Sequence, residues 1–142
     1  MTQEDKELLL KDLCARLPYG VKVESVFINP DSKEHKSCGI EVFDATSILM
    51  INDGLGEFKP YLFPLSSMTE VQKQEFLSVA GYERREEDCG RHTETYYYDM
   101  VGHENTLYPN CDDIDWLNKN HFDYRGLIEK GLAIDATGLD IY

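Results

Sequence analysis

The sequence predicts an α+β fold, because strand-like segments cluster between residues 21 and 65 while helical patterns lie before and after them instead of alternating with them. Composition supports a globular chain. The 142 residues, 42% of them hydrophobic and 11% aromatic, suit a single domain over residues 1–142. A chain of this length typically buries about 70% of the surface its unfolded form exposes, so it can build a core without staples.

The first element is a helix. Leu10, Leu13, Cys14 and Leu17 fall at i, i+3, i+4 and i+7, Thr2 with Asp5 forms a capping-box pair, and Pro18 and Gly20 close the segment. Val21 to Ile28 is rich in β-branched residues and reads as a strand. Asn29-Pro-Asp-Ser32 and the charged Lys33-Glu-His-Lys36 then form an exposed hairpin loop into a strand at Cys38 to Phe43, with His35 a solvated loop residue. Ser47 to Ile51, short and mainly apolar, reads as a central strand. Lys59 to Leu65 holds Pro60 and Pro64, which cannot donate to a ladder, so it reads as an edge strand or extended crossing. The expected sheet has three or four mainly antiparallel strands.

A second helix is expected to pack on this sheet, opened by Ser67 with Glu70 or by Thr69 with Gln72 and stopped at Gly81. Val71, Phe76, Val79 and Ala80 lie in one half of its wheel and Leu77 lies outside. The C-terminal half is expected to be less regular. Thr93 to Met100 reads as a strand with Tyr96 and Tyr98 on one face. Asp112 or Asp113 caps a short helix carrying Ile114, Trp116 and Leu117, and Gly131 closes a turn built on Leu127 and Ile128.

Charge narrows the partners. Fourteen basic side chains against 27 acidic ones leave a net −13, which opposes direct binding to nucleic-acid phosphates or anionic lipid. From Glu75 to Asp115 eleven carboxylates face only Arg84, Arg85 and Arg91, a stretch that would draw a cationic partner surface. No apolar run approaches the about 20 residues of a membrane span. Met1-Thr-Gln-Glu-Asp-Lys6 is acidic where a secretory signal would be basic and then apolar, so a cytoplasmic protein is expected, with Cys14, Cys38, Cys89 and Cys111 as reduced thiols. Cys14 and Cys38 read as core residues.

Four constellations could carry chemistry. His121-Phe-Asp-Tyr-Arg125 gathers a possible general base, a carboxylate, a phenol and a guanidinium, a set able to orient an anion. The structural alternative is that Asp123 caps the next turn, Arg125 pairs locally, and Phe122 and Tyr124 anchor the segment to the core. Cys89, His92, His103 and Cys111 offer two sulfur and two nitrogen donors, but the gap from His103 to Cys111 does not suit a structural zinc site. Asp112, Asp113 and Asp115 lack the glycine and odd-position pattern of a Ca²⁺ loop, and carboxylates at a helix start already complement its dipole. Tyr96, Tyr97 and Tyr98, flanked by Glu94 and Asp99, lack the positive charge of a base-stacking platform. No metal or cofactor is expected. Phosphate loops, nucleophile elbows and His-Glu-x-x-His motifs are absent, and Gly54-Leu-Gly56 reads as a turn.

Three stretches, Asp12 to Val23, Lys59 to Thr69 and Asp115 to Ala133, together resemble a family of uncharacterised proteins carried by phages and integrated elements of Bacteroides-type gut bacteria. The resemblance implies an intracellular protein of mobile-element origin and carries over no catalytic residue. The tail from Ile134 to Tyr142 departs from that pattern. The functional expectation is a non-enzymatic binding or regulatory module meeting a basic host or phage protein through an acidic surface that includes Glu83, Glu86, Glu87 and Asp88. The alternative is a small enzyme or nucleotide- or anion-binding protein using His121, Asp123, Tyr124 and Arg125.

Overall fold

The computed structural model describes residues 1–79, 82–88, 93–99 and 111–142, of which 82–88, 93–99 and 111–112 are described as backbone. In chain order the elements are α1 (Gln3–Arg16), β1 (Lys22–Ile28), β2 (His35–Val42), α2 (Ala45–Asn52), β3 (Gly56–Pro64), α3 (Glu70–Val79), β4 (Tyr82–Asp88), β5 (Thr93–Asp99), α4 (Cys111–Lys119), β6 (Phe122–Asp123) and β7 (Ile134–Asp135). This is the expected α+β class. The chain forms two compact units, Met1–Ser67 with His121–Tyr142, and Met68–Asn120. Among the described residues no helix is long and apolar enough to cross a membrane.

In the first unit α1 begins on the capping box expected from sequence: Asp5 N donates to Thr2 Oγ1 (3.1 Å) and Thr2 N to Asp5 Oδ2 (3.3 Å). Hydrogen bonding of the Asp5 carboxylate to Thr2, first to its side chain and then to its backbone, holds that carboxyl below its usual pKa. The helix then tightens into a 3-10 turn at Leu17–Tyr19 and ends at Gly20, whose φ of 65° is a left-handed value glycine adopts without strain. The buried stripe is shifted by one residue from the expected one. It consists of Leu9, Asp12, Leu13 and Arg16, while Cys14 is exposed. Cys38 is exposed as well, so neither thiol belongs to the core.

β1 lies between β2 and β3, antiparallel to both, and the strand order is β2-β1-β3-β6 with β7 also on β3. His35 is the exposed first residue of β2 instead of a loop residue. β3 is therefore interior to the sheet, not an edge. It tolerates its prolines because Gly56 to Pro60 pair with β1 whereas Tyr61 to Pro64 pair with β7 and β6. Each proline thus closes a ladder and interrupts none. Leu62 O accepts from Ala136 N (2.8 Å) and Phe63 N donates to His121 O (2.8 Å). These two backbone groups point opposite ways in a pleated strand, which places β7 and β6 on opposite edges of β3.

The segment expected to be a central strand, Ser47 to Ile51, lies in α2. Asp44 and Ser47 form a reciprocal cap, with Ser47 N donating to Asp44 Oδ1 (2.9 Å) and Asp44 N to Ser47 Oγ (3.4 Å). The Asp44 carboxylate accepts from Ser47 N and also from Ser47 Oγ (3.1 Å), and these two bonds lower its pKa. Ser47 and Ile51 are buried at i and i+4, whereas Leu49 is 62% exposed, a helical and not a two-faced pattern. The helix that packs on this sheet is α2 against β3, not the helix expected after Ser67 or Thr69. The core joins Leu9 and Leu13 to Val21, Val23, Phe43, Phe58, Leu62, Leu127 and Leu132, with Phe43 edge-on to Phe58 at 5.9 Å. Each such side chain contributes about 2 kcal/mol by leaving water. The turn after Leu127 closes as expected: Gly131 N donates to Ile128 O (3.0 Å) and Leu132 N to Leu127 O (2.9 Å), with Gly131 at φ 73°.

In the second unit α3 opens on Thr69 and not Ser67. Thr69 N donates to Gln72 Oε1 (2.9 Å) and Gln72 N to Thr69 Oγ1 (3.2 Å), while Ser67 Oγ donates to Pro64 O. The expected apolar face is overturned: Val71 is 77% exposed and Leu77, expected outside it, is buried. Ala80 and Gly81 lie outside the described residues. The neighbours of α3 are α4 and β4 of its own unit, and Phe76 rests on Trp116 at 5.4 Å. β4 and β5 form an antiparallel hairpin, in keeping with the strand expected near Thr93 to Met100. Because α4 starts at Cys111, Asp112 and Asp113 sit inside its first turn and not at the N-cap position before it.

Candidate functional site

The buried face of α1 carries a salt bridge. Asp12 and Arg16 stand one turn apart with side chains 0% exposed, and Arg16 donates to both carboxylate oxygens, from Nε to Oδ2 (2.8 Å) and from Nη2 to Oδ1 (3.1 Å). Its Nη2 also donates to Phe122 O (2.6 Å), tying α1 to β6. A second guanidinium arrives from the other end of the chain. Arg125 Nε lies 3.2 Å from Asp12 Oδ1, and the Arg125 and Arg16 Cζ atoms lie 4.9 and 5.4 Å from the Tyr124 ring centre. Arg125 Nη2 donates to the Tyr124 hydroxyl (3.2 Å). One carboxylate is thus shared by two cations beside an aromatic face, an arrangement that offsets part of the cost of burying charge.

Asp123 caps the following turn. Its Oδ1 accepts from Arg125 N (3.2 Å) and Leu127 N (3.0 Å), and its Oδ2 from Ile128 N (2.9 Å). Three backbone donors occupy this carboxylate, which is the structural reading of the motif.

His121 has a left-handed backbone (φ 62°) and stacks on Tyr142, ring centres 3.7 Å apart and planes 10° from parallel. Burial, then the charges of Arg16 and Lys22, lower its pKa to about 4, so it is neutral near pH 7. Among the described residues its buried Nδ1 has no hydrogen-bond partner, and neither has Arg16 Nη1. Tyr142 is held firmly: its hydroxyl donates to Tyr61 O (2.8 Å) and accepts from Lys22 N (2.9 Å), while Lys22 Nζ donates to Ile141 O (2.6 Å). Burial pushes the Tyr142 phenol up to about 12. The tail from Ile134 to Tyr142 is thus a working part of this unit.

The structure therefore brings His121, Asp123, Tyr124 and Arg125 together with Asp12, Arg16, Lys22 and Tyr142, which the sequence reading did not single out. Asp12 and Arg16 left a signal, since with Leu9 and Leu13 they complete an i, i+3, i+4, i+7 stripe. The acidic candidates lie in the other unit. Glu83, Glu86, Glu87 and Asp88 occupy β4, in register with Tyr98, Thr95, Glu94 and Thr93 of β5. Cys89, His92 and His103 lie outside the described residues, and among the described residues no three His, Cys, Asp or Glu side chains gather as metal ligands.

A pocket of about 230 Å³ opens in the first unit away from this cluster. Leu9, Ile28, Ile51 and Phe58 give it apolar walls, with Lys6 and Glu57 also on its lining.

Fold and cluster define the class: an α+β protein whose central polar network braces its own segments. The chain matches no family model, no curated protein and no solved structure.

Proposed function

We propose that the protein is a non-enzymatic binding module and that the acidic hairpin unit supplies its binding surface. Charge distribution carries this reading. Met68–Asn120 holds twelve carboxylates against five lysines and arginines, a net −7 within 53 residues. The remaining 89 residues carry −6. The partner that fits is a basic surface on a host or phage protein inside the cell, a DNA-binding protein among the candidates, met by Glu83, Glu86, Glu87 and Asp88 on β4. This reading is favoured over acid–base or anion chemistry at residues 121–125 because Asp123 is taken up by three backbone amides and Arg125 by Asp12 and Tyr124.

The test is capture from host lysate with the full chain, followed by titration of the repurified partner at low and high salt. Affinity is expected to fall at least about tenfold at high salt, and again when Glu83, Glu86 and Glu87 become Gln and Asp88 becomes Asn. A partner whose affinity survives both changes overturns the proposal.

A further inference from the structure

We infer that the free edge of β2 pairs antiparallel with the β2 edge of a second copy of this chain, in one register set by the β-bulge. Among the described residues β2 is the terminal strand of its sheet, and all eight of its residues are exposed. An unpaired edge presents backbone donors and acceptors to any other strand.

The spacing of those groups follows from the β1–β2 ladder. Phe43 N donates to Val21 O at one end and Asn29 N to Glu34 O at the other (both 2.9 Å). Inward and outward groups alternate along an antiparallel strand. Working from both ends through the register, Val42, Ile40, Ser37 and His35 direct their N–H and C=O groups away from β1. The step from Ser37 to Ile40 is three residues instead of two, because Cys38 is an extra residue beside Ser25 and Gly39, at φ 80°, completes the bulge.

A bulge ordinarily blunts an edge, since a regular strand cannot match a three-residue step. A second β2 carries the same step. In antiparallel pairing centred on Cys38–Gly39, His35 meets Val42 of the other copy and Ser37 meets Ile40, each outward group opposite an outward group. The bulge also brings Lys36 and Glu41 to the same face, since Lys36 pairs with Phe27 and Glu41 with Val23 in β1. In the centred register Lys36 stands directly opposite the second copy's Glu41, twice by symmetry. Such opposite-charge pairs favour a register, and like pairs disfavour it. Lys36 has no ion pair among the described residues, and Glu41 uses Oε2 to accept from Ser25 Oγ (2.9 Å). Ile40 and Val42, 53% and 55% exposed, gain cover. One strand edge is a small interface, so association is concentration-dependent.

Sedimentation of the full chain from micromolar to near-millimolar concentration tests this. The mass is expected to rise from one chain toward two. Lys36→Glu and Glu41→Lys, each checked for native circular dichroism, are each expected to weaken association roughly tenfold or more. Mixed together, the two variants are expected to associate at least as well as the original chain. In the mixed dimer one of the two symmetry-related contacts keeps the original lysine–glutamate pair, and the other holds the same pair with its signs exchanged. A chain that stays monomeric throughout, or a dimer that ignores both reversals, overturns the inference.

Discussion

The two units of this chain handle charge in opposite ways. In Met1–Ser67 with His121–Tyr142, Asp12 and Arg16 are fully buried and Arg125 is mostly so, each with a partner from another turn or segment. In Met68–Asn120 the carboxylates run along the chain, with Glu86, Glu87 and Asp88 consecutive in a strand paired with β5. A buried ion needs partners, so the first arrangement fixes where α1, β6 and the following turn meet. Consecutive like charges repel one another and gain from an external cation. The difference teaches that in this chain the mixed-charge motif is architecture, whereas the monotonous one is the better candidate for recognition.

The most severe way to break the comparison is Asp12→Ala. It leaves Arg16 fully buried with no counter-charge and deprives Arg125 of its ion pair. The expected loss is about 3–5 kcal/mol in urea unfolding. Replacing Asp12 and Arg16 together by leucine is expected to cost much less, because no charge is then stranded. A loss below about 1 kcal/mol for Asp12→Ala would make the pair an incidental contact.

How far these regions were legible follows the range of the interactions. The caps at Thr2 and Thr69 rely on bonds three residues apart and were readable. So was the Gly131 turn. Ser47 to Ile51 misled because a short apolar run satisfies a strand or a helix equally; the deciding signal was the local Asp44–Ser47 cap, in which serine stands where a capping box usually has Glu or Gln. Leu77 misled because a wheel drawn for one face cannot show which neighbours the helix meets. Asp12 and Arg16 carried the spacing of a buried stripe but not its chemistry, because charged residues are rarely buried unless paired, and their further partners, Phe122 O and Arg125, lie more than 100 residues away.

Acid sharpens the comparison next. His121 has a folded pKa of about 4 against an ordinary 6.5, so between these values the unfolded chain binds the proton and the folded chain does not. Stability is therefore fully present above pH 6.5 and falls as pH drops toward 4, by on the order of 3 kcal/mol. Protonation would place a third cation beside Arg16 and Lys22. His121→Asn keeps a residue that tolerates φ 62° and removes the titration, so the difference between the two chains isolates this group from the carboxylates. A pH-independent difference would mean that His121 gains solvent or a partner in solution.

The smallest effect tests whether the units obey the same local rules despite their different charge. Thr2 in the first unit and Thr69 in the second make the same pair of reciprocal capping bonds, at 3.1 and 3.3 Å and at 3.2 and 2.9 Å. Each alanine substitution removes one acceptor from a helix start, at an expected cost of about 1 kcal/mol. Trp116 is the chain's one tryptophan and rests on Phe76 of α3, so its fluorescence reports the Thr69→Ala change, while helical circular dichroism follows Thr2→Ala. Equal losses mean that helix starts are set by local hydrogen bonds and that the charge of the second unit weighs little on its own helix. A Thr69→Ala loss that grows at low salt would show the opposite: without its cap, α3 would feel the surrounding carboxylates, and the charge proposed for recognition would also limit the stability of the unit that carries it.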